Sequence, residues 1–261
     1  MSQHRPRKRF GQHFLTDEFA INEIMELIDY RPEATLVEIG PGQGVLTAPL
    51  LERCAQLIAI EIDRDLSAHL RHRFADQPKF RLIEIDALKL QLSDIFDGPV
   101  TVVGNLPYNI STPLLFHLFA QRLQIESMLF MLQKEVVERM AARPGSKRYG
   151  RLSVMTQYYC VVEPLIEIPP SAFEPPPKVD SQMVRLHPRQ TTLANSQFEQ
   201  SLSNLVTAAF AHRRKTLRNT LAGLCDAETI IAAGCDPAAR AETLSLEDFV
   251  TLASTLYNSK E

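Results

Sequence analysis

The sequence predicts an α/β protein: a mostly parallel, seven-stranded sheet covered on both faces, followed by a small helical domain. Three observations lead there. Over the first two-thirds of the chain, short β-branched runs alternate with amphipathic segments. Strands that alternate with helices pair in parallel and are buried on both sides. Residues 187–196 are polar and turn-rich and read as a linker, and from Gln197 onward only helical periodicity is present. The expected domains are therefore residues 1–187 and 188–261.

The elements follow in order. Residues 17–30 predict an amphipathic helix with Ile21, Ile24, Met25 and Ile28 on one face. Residues 35–39 predict a strand, then a glycine loop and a helix to about Cys54. Residues 57–62 form the second strand, followed by a helix through His69 to Phe74. Residues 80–85 are the third strand and 100–103 the core of the fourth, which ends at Asn105. A helix over 113–121 leads to the fifth strand, 127–132, and a helix from Lys134 to Ala142. Residues 159–168 and 179–186 predict two further strands. Between them Pro169–Pro177 is stiff and extended, so the two close the sheet as a hairpin-like pair. Beyond the linker, Phe198, Leu202, Leu205, Val206 and Ala209, then Phe249, Leu252 and Leu256, mark about five short helices.

Composition excludes some classes. The 261 residues are 45% hydrophobic and 23% charged, as in globular proteins. No apolar run approaches the about 20 residues that span a bilayer. The basic start, MSQHRPRKRF, has no apolar core after it and does not read as a secretory signal. Cys54, Cys160, Cys225 and Cys235 are scattered, which suits reduced thiols in the cytoplasm. His69 and His72 flank Arg71 on a helix without further ligands, so no metal is expected. Net charge is only −3, but Arg5, Arg7, Lys8 and Arg9 form one basic cluster. Arg143, Lys147, Arg148 and Arg151 form a second, and Arg213, Arg214, Lys215 and Arg218 a third. Taken singly these are solvated patches; sharing a face, they would meet a polyanion.

The chemistry gathers at strand ends. Gly40, Gly42 and Gly44 follow a strand and open a helix, where backbone can approach a ligand closely. Their G-x-G-x-G spacing departs from the dinucleotide fingerprint, and no P-loop lysine is present. Glu61 ends the next strand about 20 residues on, placed to accept the hydroxyls of a ribose. Asp86 ends the third strand, placed to accept an exocyclic adenine amine. Two acids at successive strand ends after a glycine loop favour an adenosine-containing ligand.

The fourth strand breaks into Asn105-Leu106-Pro107-Tyr108. An exocyclic amine is a poor nucleophile because its lone pair is delocalised into the ring. Two acceptors on its N–H bonds would free that lone pair: the Asn105 side-chain oxygen and the Leu106 carbonyl. Pro107 fixes the chain and removes a competing N–H. Tyr108 can stack on the base, and so can Phe173 in the proline-rich loop. A base held this way has been unstacked from its neighbours.

These residues resemble the KsgA-type small-subunit ribosomal RNA adenine N6-dimethyltransferases. The matching stretches are KRFGQHFL (8–15), VEIGPGQGVLT (37–47), AIEID (59–63), EIDAL (84–88), GNLPYNISTPLLFHL (104–118), MLQKEVVERM (131–140), PGSKRYGRLSV (144–154), FEPPPKVDS (173–181) and RRKTLRN (213–219). The resemblance implies a Rossmann-like class I methyltransferase that uses S-adenosylmethionine. It implies transfer of two methyls to each of two adjacent adenosines in a hairpin loop near the 3′ end of 16S rRNA. The implied partner is that RNA within the small ribosomal subunit or its precursor, late in assembly and in the cytoplasm; apart from the resemblance, a monomer is expected. By motif, His13, Leu15, Gly40, Gly42, Glu61, Asp86 and Asn105 line the cofactor site, and residues 188–261 recognise RNA. The family commonly carries Asn where this chain has His13; a histidine still donates a hydrogen bond.

Three alternatives remain beside this one. An Erm-type dimethylase acting on large-subunit RNA shares the glycine loop, the acids and the N-x-P-Y motif. An assembly factor that only binds RNA does not need that motif. An NAD-dependent dehydrogenase needs a different glycine spacing.

Overall fold

The computed structural model describes residues 13–29, 33–189 and 196–258. The basic cluster at Arg5–Arg9 and part of the linker lie outside them. The chain divides into two compact units: residues up to Val137 with Glu163–Pro188, and Glu138–Val162 with the chain from Arg189 onward.

In the first unit, β1 (Phe14–Leu15) precedes α1 (Glu18–Glu26). Asp17 caps α1, its side chain accepting from the Ala20 N–H at 2.9 Å, as a short carboxylate at an N-terminus should. Next come β2 (Thr35–Ile39), α2 (Thr47–Arg53), β3 (Gln56–Glu61), α3 (Arg64–Arg73) and β4 (Phe80–Glu84). Then β5 (Val100–Asn105), α4 (Ser111–Phe119), β6 (Ile125–Gln133) and α5 (Lys134–Met140) follow. After α6 (Arg151–Tyr159) come β7 (Cys160–Ile168), β8 (Phe173–Glu174) and β9 (Ser181–Pro188). The sheet has seven strands in the order β4-β3-β2-β5-β6-β9-β7. The pairs from β4 to β6 are parallel, and β6 pairs antiparallel with β9. The order reverses between β2 and β5, so a crevice opens at their C-terminal ends, the usual ligand position in such sheets.

Gly104 sets how closely β5 approaches β2. A Cβ there would lie 2.4 Å from the Ile39 carbonyl oxygen, so any side chain would push apart the two strands that carry the glycine loop and Asn105. The core of this unit packs Ile24, Met25 and Ile28 of the first helical segment against Leu36, Leu50, Leu57 and Leu129. This is the apolar face expected from the sequence.

Two features were not foreseen. Residues 151–159 form α6, and β1 pairs antiparallel with β8 as a separate two-stranded sheet, Leu15 opposite Phe173. The second unit holds α6, α7 (Ser196–Ala209), α8 (Leu217–Thr220), α9 (Ala227–Ala232) and α10 (Leu246–Asn258). Its core joins Phe198, Leu202 and Val206 with Phe249 and Leu252, and Phe210 bridges the rings of Tyr149 and Phe249 at 6.0 and 5.7 Å.

Candidate active site

The C-terminal ends of β2, β3, β4 and β5 surround a cavity of about 300 Å³, at the lower end of the range for small-molecule sites. Each of the residues expected at a ligand from the sequence lines it, with one exception: His13, Leu15, Gly40, Gly42, Glu61, Asp86, Asn105, Leu106, Pro107 and Tyr108 do, and Phe173 does not.

The glycine loop forms its floor. Gly40, Gly42 and Gly44 all have positive φ, at 68°, 58° and 81°. Phe14 lies across the loop, so close that a Cβ on Gly42 would sit 3.2 Å from its ring. From outside, the Arg73 guanidinium donates to the Gln43 carbonyl at 2.6 Å.

Glu61 is held by the backbone. Its Oε1 accepts from the Ile62 and Asp63 N–H groups at 2.9 Å each, and Oε2 accepts from Gly42 at 3.4 Å. A carboxylate offers about four lone pairs, so the long bond on Oε2 marks the oxygen with room for a ligand hydroxyl. Burial is the main cause that pushes the Glu61 carboxyl up, against the lowering effect of these backbone bonds. Asp86 uses Oδ1 to accept from the Leu88 N–H at 3.0 Å, which leaves Oδ2 for a donor on a ligand.

The sequence alone did not single out Glu38. It stands in an otherwise apolar strand, 2% exposed, and lines the same cavity. Thr47 Oγ1 donates to its Oε2 at 2.7 Å. Burial, and next to it the charge of Glu61, raise its pKa to about 7, while the Thr47 bond works the other way. A buried carboxyl in this state favours a cationic ligand group, which would restore the ionised form. The signal was present in Thr35-Leu36-Val37-Glu38-Ile39: a charge where a fully covered strand wants none. Ile62 was also missed; it is 46% exposed and lines the cavity, an apolar surface beside Glu61.

Asn105 ends β5. Its Nδ2 donates to the main-chain carbonyl of His13 at 3.2 Å. A carbonyl only accepts, so this contact decides which end of the amide faces which way and leaves Oδ1 for another donor. The Leu106 N–H donates to Met131 at 3.2 Å, and among the described residues nothing donates to the Leu106 carbonyl. Asn105 Oδ1 and the Leu106 carbonyl therefore both keep acceptor capacity. His13 is itself anchored, Nδ1 lying 2.7 Å from the Pro175 carbonyl. Its ring stacks on Tyr108 with centroids 5.8 Å apart and planes at 27°.

Phe173 lies apart from the cavity that the other residues expected at the site line. It was placed beside the base as a second stacking surface. Its ring is instead 4% exposed, packed with Leu15, Ile168, Ala172 and Met183. The β1–β8 pairing sets Phe173 opposite Leu15, within the same core cluster.

The second unit gathers basic side chains. The Arg213 guanidinium donates to the Lys147 carbonyl and lies 3.9 Å from Glu242, so the 143–151 and 213–218 clusters meet. Arg148 is paired with Glu138. Among the described residues, no helix is long and apolar enough to cross a membrane, and no group of three His, Cys, Asp or Glu side chains gathers where a metal could sit.

Comparison with known proteins gives a consistent picture. The family pattern described as ribosomal RNA adenine dimethylase matches residues 3–258. Ribosomal RNA small subunit methyltransferase A of Nitrosococcus oceani is 52% identical over 251 residues, covering 95% of each chain. A dimethyladenosine transferase from Plasmodium falciparum superposes with a TM-score of 0.80 at 26% identity, covering 92% of this chain and 96% of that one. The 23S rRNA methyltransferase ErmE superposes with a TM-score of 0.72 at 27% identity, covering 94% of this chain and 99% of that one.

Proposed function

This chain belongs to the ribosomal RNA adenine dimethylase family, and from that membership we propose that Asn105, Leu106, Pro107 and Tyr108 present adenine N6 amines of 16S rRNA for dimethylation. The enzyme is an S-adenosylmethionine-dependent rRNA adenine N6,N6-dimethyltransferase with a Rossmann-like fold. Its targets in this reading are two adjacent adenosines in a hairpin loop near the 3′ end of that RNA. The small subunit or its precursor is the substrate, late in assembly, in the cytoplasm, and the enzyme works as a monomer.

The cavity's residues fit the cofactor. The positive-φ glycine loop admits close backbone approach. Glu61 Oε2 and Asp86 Oδ2 retain acceptor capacity for a ribose hydroxyl and an adenine amine, and buried Glu38 suits a cation. When bound there, S-adenosylmethionine supplies an electrophilic methyl on a sulfonium.

The protein's part is positioning and electrostatics. In the first transfer Asn105 Oδ1 and the Leu106 carbonyl accept the two N6 hydrogens and draw the nitrogen toward tetrahedral geometry, which localises its lone pair; in the second, one of them accepts the single hydrogen that remains. Pro107 holds the turn and removes an N–H that would compete for those acceptors. Tyr108 stacks on the extruded base. No strong base is needed, since the nitrogen becomes acidic as it gains the methyl. Binding of the RNA falls to residues 188–261, where Arg213, Arg214 and Lys215 are the phosphate contacts.

The amide of Asn105, turned by the His13 carbonyl, is the observation that supports this reading most strongly. The test is mass spectrometry of RNA after incubation of purified enzyme and labelled S-adenosylmethionine with small subunits that lack the modification. Two adjacent dimethyladenosines in 16S rRNA are expected. Label appearing only in 23S rRNA supplied beside them would instead support the ErmE-like activity, for which the superposition is the one favouring observation.

A further inference from the structure

We propose that Ser181 is a positioning residue for the target base, acting through the hydroxyl of Tyr108. The inference rests on the adenine-methylating reading of the site. Tyr108 sits in the turn between β5 and α4, where no strand or helix ladder fixes its ring. Three contacts fix it instead. Ser111 Oγ donates to the Tyr108 carbonyl at 3.1 Å. The His13 ring covers one face at 5.8 Å. Ser181, opening β9 and 0% exposed, places Oγ 2.5 Å from the phenol oxygen.

Residue 108 is thereby held at its main chain, at the far end of its ring and on one face. Only the second face is left for a base. Stacking depends on the plane of the ring, so a phenol fixed at its tip presents that face without first giving up rotamer freedom. Burial also pushes the phenol up from its usual range, so it keeps its proton, and either hydroxyl can donate. Ser181 does not line the cofactor cavity. It should therefore affect methyl transfer and leave cofactor affinity alone, which a general loss of structure would not do.

The test compares wild type, S181A, Y108F and the double variant. Single-turnover methyl transfer is measured on unmodified small subunits, and S-adenosylmethionine affinity by calorimetry. S181A should slow transfer about fivefold, the size of one hydrogen bond, with cofactor affinity unchanged. Y108F should slow it similarly, and the double variant should be no slower than Y108F, because both changes remove one contact. Wild-type rates in S181A, or penalties that multiply in the double variant, would overturn the proposal. Should S181A fail to fold, Y108F decides alone, since it keeps the ring and deletes the bond: a wild-type rate there rejects the role. The wild-type arm separates the two levels. If it places no methyl on adenine N6, the reading of the site fails; if it does and S181A equals it, only the role of Ser181 fails.

Discussion

Replacing Glu38 by Gln should flatten part of the protein's pH dependence, by an amount the site fixes. Glu38 keeps its proton up to about pH 7 rather than the ordinary 4.5. Between those values the folded chain holds a proton that the unfolded chain has released. The stabilisation is whole below pH 4.5 and is lost as pH rises through about 7. At about 1.4 kcal/mol per pH unit, the difference is about 3 kcal/mol. E38Q retains an oxygen to accept the Thr47 hydroxyl and has nothing to ionise. Urea unfolding of both proteins at steps from pH 4.5 to 8 measures the effect. E38Q should gain about 3 kcal/mol on wild type across that range. The same ionisation should couple to cofactor: if only the carboxylate form meets the sulfonium-bearing ligand well, wild-type affinity rises about tenfold from pH 6 to 8 and E38Q affinity does not. A stability difference that stays flat with pH would refute the placement of Glu38 as a buried, protonated carboxyl.

Three further outcomes follow from the site. Asn105→Ala should cut turnover by about 100-fold or more while calorimetry shows near-normal S-adenosylmethionine binding, the size of losing one preorganised partner of the reacting group. Glu61→Ala should weaken cofactor affinity first, by about tenfold or more for a charged hydrogen bond; unchanged calorimetric affinity would remove Glu61 from the ribose position. Charge reversal at Arg213, Arg214 and Lys215 should weaken small-subunit binding and reduce its log–log salt slope by about 0.7–0.9 per lost phosphate contact. Cofactor binding should not change, and untouched subunit binding would show that the tail is not the docking surface.

Much of the fold was legible because its signals are local. The β-branched runs at 35–39, 57–62 and 100–103 are buried on both faces, and each proved a strand within a residue or two of its expected ends. Helix α6 was not legible for a physical reason: Leu152 through Thr156 are all buried, so the segment lacks the polar face that reveals a helical period. The β1–β8 pair is two residues on each side, too short to leave a pattern, and its partners are far apart in sequence. That pairing sets Phe173 beside Leu15 in the core.

At the site, Glu61, Asp86 and Asn105, which announce themselves at strand ends, all line the cavity. What the sequence does not state is who holds whom. The contact of Asn105 with the His13 carbonyl joins positions far apart in the chain, and it is main-chain chemistry that no side-chain motif encodes. Glu38 was legible in principle, as a lone charge in an apolar strand. Its significance comes first from its burial and in smaller part from the charge of Glu61 on β3, neither of which the strand's own sequence states.

A crystal structure of the enzyme with S-adenosylhomocysteine and the target RNA hairpin would test the central assignment most directly. The flipped adenine should stack on Tyr108, with N6 within hydrogen-bond distance of both Asn105 Oδ1 and the Leu106 carbonyl. An amide turned the other way, its nitrogen toward the base, or a base lodged elsewhere, would contradict it.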